Sequence, residues 1–245
     1  MPVPSPTPTY FKYIDAGPPT MLASPQRLLL ILDLNGVLIH RNRNGDPRSF
    51  KTRPGAHSFL EHCFANHDVM IWTSTRKENA DSILERLLTP DQSSSLVEAW
   101  FRENFNLSPL HFRENVQVYK CLSWVWQHYK FLIPDFGAKY GPHNTLLVDD
   151  STRKAATEPY NLCHVETWDG KDQNDTELGK ALMFISETAC MSDVARYRRW
   201  RGQMMAAQAL DAASALAASK GGLEVGDEPP VGEHSEDDDQ VFPEP

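Results

Sequence analysis

An apolar run that stops at a carboxylate constrains this chain more than any other stretch: Leu28 to Leu38 reads LLLILDLNGVL. Uninterrupted apolar residues suit a strand buried on both faces, as in a parallel sheet with helices on each side. Asp33 then stands at the carboxyl end of that strand, and in open α/β sheets ligands bind in the crevice beyond those ends. The same position also suits a turn-forming Asp that bonds only the backbone. A second short run, Thr145 to Val148, ends in Asp149 and Asp150. Two buried strands thus bring three carboxylates to one sheet edge, where their repulsion calls for a cation. Hard oxygen ligands on two strands suit Mg²⁺, which takes few protein ligands and keeps several waters. Asp150 and Ser151 are equally placed to cap a helix over Thr152 to Ala156.

Between and after these acids stand RPG (Arg53 to Gly55), IWTST (Ile71 to Thr75), YKCLS (Tyr119 to Ser123) and LLVDDS (Leu146 to Ser151). Together with D-x-N-G-x-L from Asp33, this order resembles the haloacid-dehalogenase superfamily over about Leu28 to Arg199. Within it, the chain is similar to the small phosphatases acting on the C-terminal domain of RNA polymerase II, the nuclear-LIM-interactor-factor-like group. The fold so implied is a Rossmann-like α/β core, a mainly parallel sheet with helices on both faces.

The resemblance implies that Asp33 is the nucleophile, forming an aspartyl-phosphate. It implies that Thr73, with Ser74 beside it, binds the phosphoryl oxygens. Thr75 and Glu78, at capping-box spacing, are better placed than Thr73 to start the next helix. Lys120, by default a solvated side chain, is implied to neutralise the phosphate and orient the nucleophile. Mg²⁺ is implied to be held by Asp33, the main-chain carbonyl of Asn35 and Asp150, with Asp149 as ligand or support. One departure bears on turnover. The family carries Asp two residues after the nucleophile, as general acid and base, and here that residue is Asn35. An amide cannot pass a proton at neutral pH, and such catalysis is worth roughly 10²–10⁴-fold. The metal ligand survives, because it is a main-chain oxygen.

A Mg²⁺-dependent Ser/Thr phosphoprotein phosphatase, slow or inactive, is therefore one expectation. The other is a noncatalytic protein-binding domain, like the phosphatase-like subunit of the mitochondrial inner-membrane presequence translocase. Only 40 positions separate Asp33 from Thr73, too few for a large cap domain. An uncapped site suits a phosphoprotein or extended polypeptide better than a metabolite. From about Thr89 to Val118 there is room for a small insert, where RENFNLSPLHFRENVQV reads as short strands. Arg53-Pro54-Gly55 opens a helix to Asn66, and further helices are expected over 77–88, 120–131 and 175–200. Strands are expected over 68–72, 145–148 and 162–165.

The phosphatase-like domain is thus read as residues 27–202, followed by an Ala-rich helix over 203–220. Seven prolines before Arg27 suggest a disordered tail over 1–26. Residues 221–245 hold nine acids and neither Lys nor Arg, which reads as a disordered acidic tail. The whole-chain charge of −9 therefore belongs to that tail, and the remainder is balanced. No leader of secretory or mitochondrial type is visible and no run is long enough to span a membrane. The four cysteines lack C-x-x-C spacing, which fits a reducing compartment. Nucleus or cytoplasm is the expected location, the mitochondrial inner membrane the alternative. The expected state is a monomer. His57, His62 and His67, five residues apart, step about 140° around a helix and cannot share one metal. The arginines from Arg196 to Arg201 suit a helix end better than a nucleic-acid grip.

Overall fold

The computed structural model describes residues 2–42, 46, 49–114, 116–132 and 139–221. The acidic tail, apart from Gly221, lies outside them. Two compact units are distinguished, Met1–Gly202 and Gln203–Pro245.

The first unit opens with α1 (Pro8–Ile14) and then β1 (Leu29–Leu32). A small antiparallel ribbon, β2 (Ile39–His40) with β3 (Lys51–Thr52), leads into α2 (Ala56–Asn66) and β4 (Asp68–Trp72). Next come α3 (Lys77–Leu87), α4 (Pro90–Ser95) and β5 (Glu98–Trp100), followed by α5 (Pro109–Arg113) and α6 (Leu122–Leu132). The chain continues as β6 (Thr145–Asp149), β7 (Leu162–His164), α7 (Glu177–Ala189) and α8 (Val194–Gly221). From residue 203 α8 belongs to the second unit, whose positions 203–214 are all exposed.

The sheet is fully parallel, in the order β5-β4-β1-β6-β7. Its central strand is the apolar run that precedes Asp33. Alternate side chains of β1 enter opposite layers. Leu30 and Leu32 join Val69, Val148, Phe59 of α2 and Ile185 of α7 on one face. Leu29 and Ile31 join Met70, Trp72, and Leu122 and Val125 of α6 on the other. Helices therefore cover both faces, and all strand ends that carry polar residues point the same way. The described residues between Asp33 and Thr73 hold only the ribbon, α2 and β4, with no large cap.

Three expectations are corrected. Residues 1–26 are not a plain disordered tail: Pro8–Ile14 is helical, with Pro8 in its first turn and the Thr7 hydroxyl accepting from Tyr10 N. Tyr10 and Ile14 pack with Ala195, and the Tyr10 hydroxyl donates to Asn161. Leu22 N and Gln26 N then donate to the carbonyls of Cys190 and Ala189. Secondly, the insert is not made of short strands over 102–118. Arg102–Phe105 is a 3₁₀ turn and α5 follows, begun by Pro109 and capped by the Ser108 hydroxyl; the Arg102 guanidinium gathers carbonyls of His111, Phe112 and Glu114. Thirdly, the single helix expected over 175–200 is two, because Asp193 caps a fresh start by accepting from Arg196 N at 2.9 Å. The arginines beyond it are engaged locally: Arg196 stacks on Tyr13, Arg199 pairs with Asp15 and Arg201 with Glu187.

Candidate functional site

Asp33 follows β1 directly, and its N–H donates to Val148 O at 3.0 Å, so β1 and β6 end in register. The chain must then turn sharply, and Gly36 does so with φ +90°. A Cβ at Gly36 would lie 2.1 Å from Asp150 Oδ2, so the absence of a side chain there lets the two acid-bearing strand ends meet. Arg53, of the RPG stretch, is buried beneath this turn. It donates to the carbonyls of Gly36, Val37 and Glu166 and forks onto Asp175 through two 2.7 Å bonds. Such bidentate pairing fixes the loop in both position and orientation.

Asp33, Asp149 and Asp150 offer carboxylate oxygens all within 4.8 Å of one another. Asp33 and Asp149 are buried, Asp150 less so. Lys120 is fully enclosed between them, with Nζ 2.6 Å from Asp149 Oδ2 and 3.3 Å from Asp33 Oδ1. The expected start of a helix at Lys120 is moved to Leu122, and Lys120 N donates instead to Lys154 O at 2.7 Å. No helix follows Asp150: Thr152 to Thr157 form successive turns, so neither Asp150 nor Ser151 is a helix cap. Asp149 has both oxygens engaged, Oδ1 accepting from Ser151 N at 2.9 Å. Asp150 Oδ2 accepts from the Thr167 hydroxyl at 2.8 Å.

Lys154 was absent from the sequence-based site and belongs to it. Its ammonium bonds Asp33 Oδ2 and lies 3.0 Å from Asp149 Oδ1 and 3.5 Å from Asp150 Oδ1. Lys120 is thus not the only base beside the acids. The sequence signal was its place four residues after Asp150, which required the turn to be known. Burial pushes the Asp33 carboxyl up, but the charges of Lys120 and Lys154 and the Lys154 bond outweigh it and bring its pKa down to about 2. Asp149 moves the other way, held above the usual range by burial and by Asp33. Burial opposes the charged form of Lys154, yet Asp33 and Asp149 hold it well above the ordinary lysine value.

Asn35 points its side-chain oxygen at Arg41 N, 2.8 Å away. Thr73 and Ser74 follow β4, next to β1 at the same edge. The Thr73 hydroxyl accepts from Thr75 N and donates to the Thr75 hydroxyl, both at 3.2 Å, which folds this turn on itself. The expected Thr75–Glu78 cap is out of register by one: Arg76 is the cap position without a side-chain bond, and Glu103 accepts from Lys77 N. Ser74 and Thr75 line an open, strongly basic pocket of about 300 Å³ with Arg41, Arg76, Arg102 and Arg113. The His62 and His67 rings lie 6.3 Å apart, but His67 Nδ1 accepts from Leu28 N at 3.3 Å, a packing role.

An acidic trio of hard oxygens is a donor set that fits Mg²⁺. One buried, lysine-held carboxylate can act as a nucleophile beside it.

A family model described as NLI interacting factor-like phosphatase matches residues 28–195. An uncharacterized FCP1 homology domain-containing protein of Schizosaccharomyces pombe is 31% identical over 192 residues, covering 71% of this chain and 77% of that protein. A ubiquitin-like domain-containing CTD phosphatase of Arabidopsis thaliana is 26% identical over 178 residues, 70% of this chain and 50% of that protein. This chain therefore spans only about half the length of the plant relative. Among solved structures, that of Fcp1, an essential RNA polymerase II CTD phosphatase, aligns at 15% identity with a TM-score of 0.40, covering 66% of this chain and 51% of that one.

Proposed function

This chain belongs to the NLI interacting factor-like phosphatase family, and from that membership we propose that it is a slow, Mg²⁺-dependent phosphatase of phosphoserine and phosphothreonine in polypeptides. The observation that carries the reading is Asp33, buried and lysine-held at the sheet edge, with Asn35 where the family has its acid. Kept ionised at neutral pH, Asp33 attacks phosphorus; the bond to the serine or threonine oxygen breaks and an aspartyl-phosphate forms. Water then attacks phosphorus, releasing phosphate and restoring Asp33. Lys120 holds Asp33 in place and adds positive charge near the phosphoryl oxygens. Ser74 and the turn around Thr73 line the phosphate's approach. Asp33, the Asn35 carbonyl and Asp150 would hold Mg²⁺, with Asp149 steadying Lys120. When bound, Mg²⁺ supplies the charge that neutralises a transferring phosphoryl group.

Asn35 cannot protonate the leaving oxygen, which must take its proton from water. That is the reason for slow turnover. The absence of a large cap among the described residues and the basic pocket beside Ser74 favour a phosphorylated polypeptide over a metabolite. Nucleic acid is disfavoured, since the arginines of α8 are engaged by Tyr13, Asp15 and Glu187. No described helix is long and apolar enough to cross a membrane. We place the protein, as a monomer, in nucleus or cytosol.

Asn35 also favours a second reading, a noncatalytic domain that binds phosphorylated or extended polypeptide. Asn35→Asp separates the two. In a slow phosphatase it raises aryl-phosphate turnover by roughly 10²-fold or more with little change in KM, because the acid acts in the transition state. The wild-type protein is first checked by mass spectrometry for deamidation at Asn35-Gly36, which would supply the missing acid. Equal rates in deamidation-free wild type and variant would overturn the role given to Asn35. No turnover in either, with folding and Mg²⁺ binding intact, would establish the binding domain.

A further inference from the structure

The three acids already face a cation supplied by the chain itself. Lys120 and Lys154 take opposite oxygens of the same two carboxylates: Lys120 lies against Asp33 Oδ1 and Asp149 Oδ2, Lys154 against Asp33 Oδ2 and Asp149 Oδ1. Only Lys154 also reaches Asp150, at 3.5 Å. Its Nζ therefore touches all three members of the trio, including both carboxylates assigned to the metal, whereas Lys120 touches one of those.

The two lysines differ in freedom as well. The Lys120 side chain is wholly enclosed, while that of Lys154 is 15% exposed. The Lys154 backbone is fixed, its N–H donating to Ser151 O at 3.1 Å and its carbonyl accepting from Lys120 N. Its four-carbon stem is not, and a lysine head is a compact charge that moves easily between partners. A divalent ion and an ammonium drawn to the same oxygens repel each other.

We propose that Lys154 is an internal counterion, occupying the place between Asp33, Asp149 and Asp150 in metal-free protein and withdrawing when Mg²⁺ binds. The proposal rests on the reading of this site as a Mg²⁺ site and adds a residue that sets its affinity. Competition with a tethered ammonium weakens Mg²⁺ binding, and in return the metal-free protein is spared three facing carboxylates with only one lysine between them.

Calorimetric titration of MgCl₂ into the full chain tests this. Lys154→Met keeps the stem and removes the charge, and it should tighten Mg²⁺ binding at least tenfold over wild type. It should also melt lower without metal. Equal or weaker Mg²⁺ binding in Lys154→Met overturns the proposal while leaving the metal site standing. No Mg²⁺ binding in either protein removes both. Should the variant fail to fold, the wild type decides. Labelling of Lys154 by an N-hydroxysuccinimide ester, read by peptide mass spectrometry, should increase in saturating Mg²⁺ while Lys120 stays protected. Unchanged or reduced labelling of Lys154 overturns the proposal.

Discussion

Gly36 shows how a residue without chemistry of its own controls the site. Its φ of +90° is costly for any side chain, by about 1–2 kcal/mol. Its missing Cβ is also where Asp150 Oδ2 passes, at 2.1 Å from the place a Cβ would take. Gly36→Ala should therefore cost about 2 kcal/mol or more in denaturant unfolding and push Asp150 away from Asp33. The rise in melting temperature that the proposed Mg²⁺ site should give the wild type would then be lost in the variant. An unchanged metal response would show that Asp150 is not needed. The carboxylates that the structure gathers were more legible than this glycine's role. Asp33, Asp149 and Asp150 end apolar runs, and a buried strand can place its next residue at only one edge. Lys154 was hidden because a long side chain on a turn has no period that tells where its head lands.

At the scale of elements, the strands around Asp33 and Thr73 were legible and the connections were not. Prolines in residues 1–26 suggest broken structure, whereas Pro8 behind Thr7 begins α1. Ser108-Pro109 does the same for α5 in a segment that reads as strand. The break at Asp193 was not read, because its cap lies inside a long helical pattern. The α1 helix makes a measurable prediction. It buries Tyr10 and Ile14, and full burial of such side chains contributes about 1.5–3 kcal/mol each before the cost of ordering the segment. Deleting residues 2–20 should lower stability by about 2 kcal/mol, which is roughly 4–8 °C for a domain of this size. A melting temperature within a degree of the full chain would mean that α1 is an ornament on the domain.

For the molecule as a whole, acid is the revealing condition. Burial, then His62 and Arg27, bring the His67 pKa down to about 4, and burial lowers His143 as well. Both groups resist a proton in the folded state that the unfolded chain accepts below about pH 6.5. The His67 stabilisation is thus complete above pH 6.5 and is lost as pH falls toward 4, and His143 acts in the same direction. Asp33 contributes in a lower window, losing its share only below its ordinary value near 4, as pH falls toward 2. Burial of Asp149 and Glu158 acts in the opposite sense, holding protons in the folded state. Comparing wild type with His67→Gln isolates the imidazole: the variant should lose less stability between pH 6.5 and 4. Parallel melting curves across that range would remove His67 from the balance. The clasp of the first residues on the start of α8 also has a consequence in time. Tyr13 bonds Asp193, 180 positions further on. On a ribosome adding about 5–20 residues each second, the earlier partner waits roughly 10–40 s for the later one to emerge. During translation α1 is thus a guest without a host, and its docking marks the moment when the nascent domain closes.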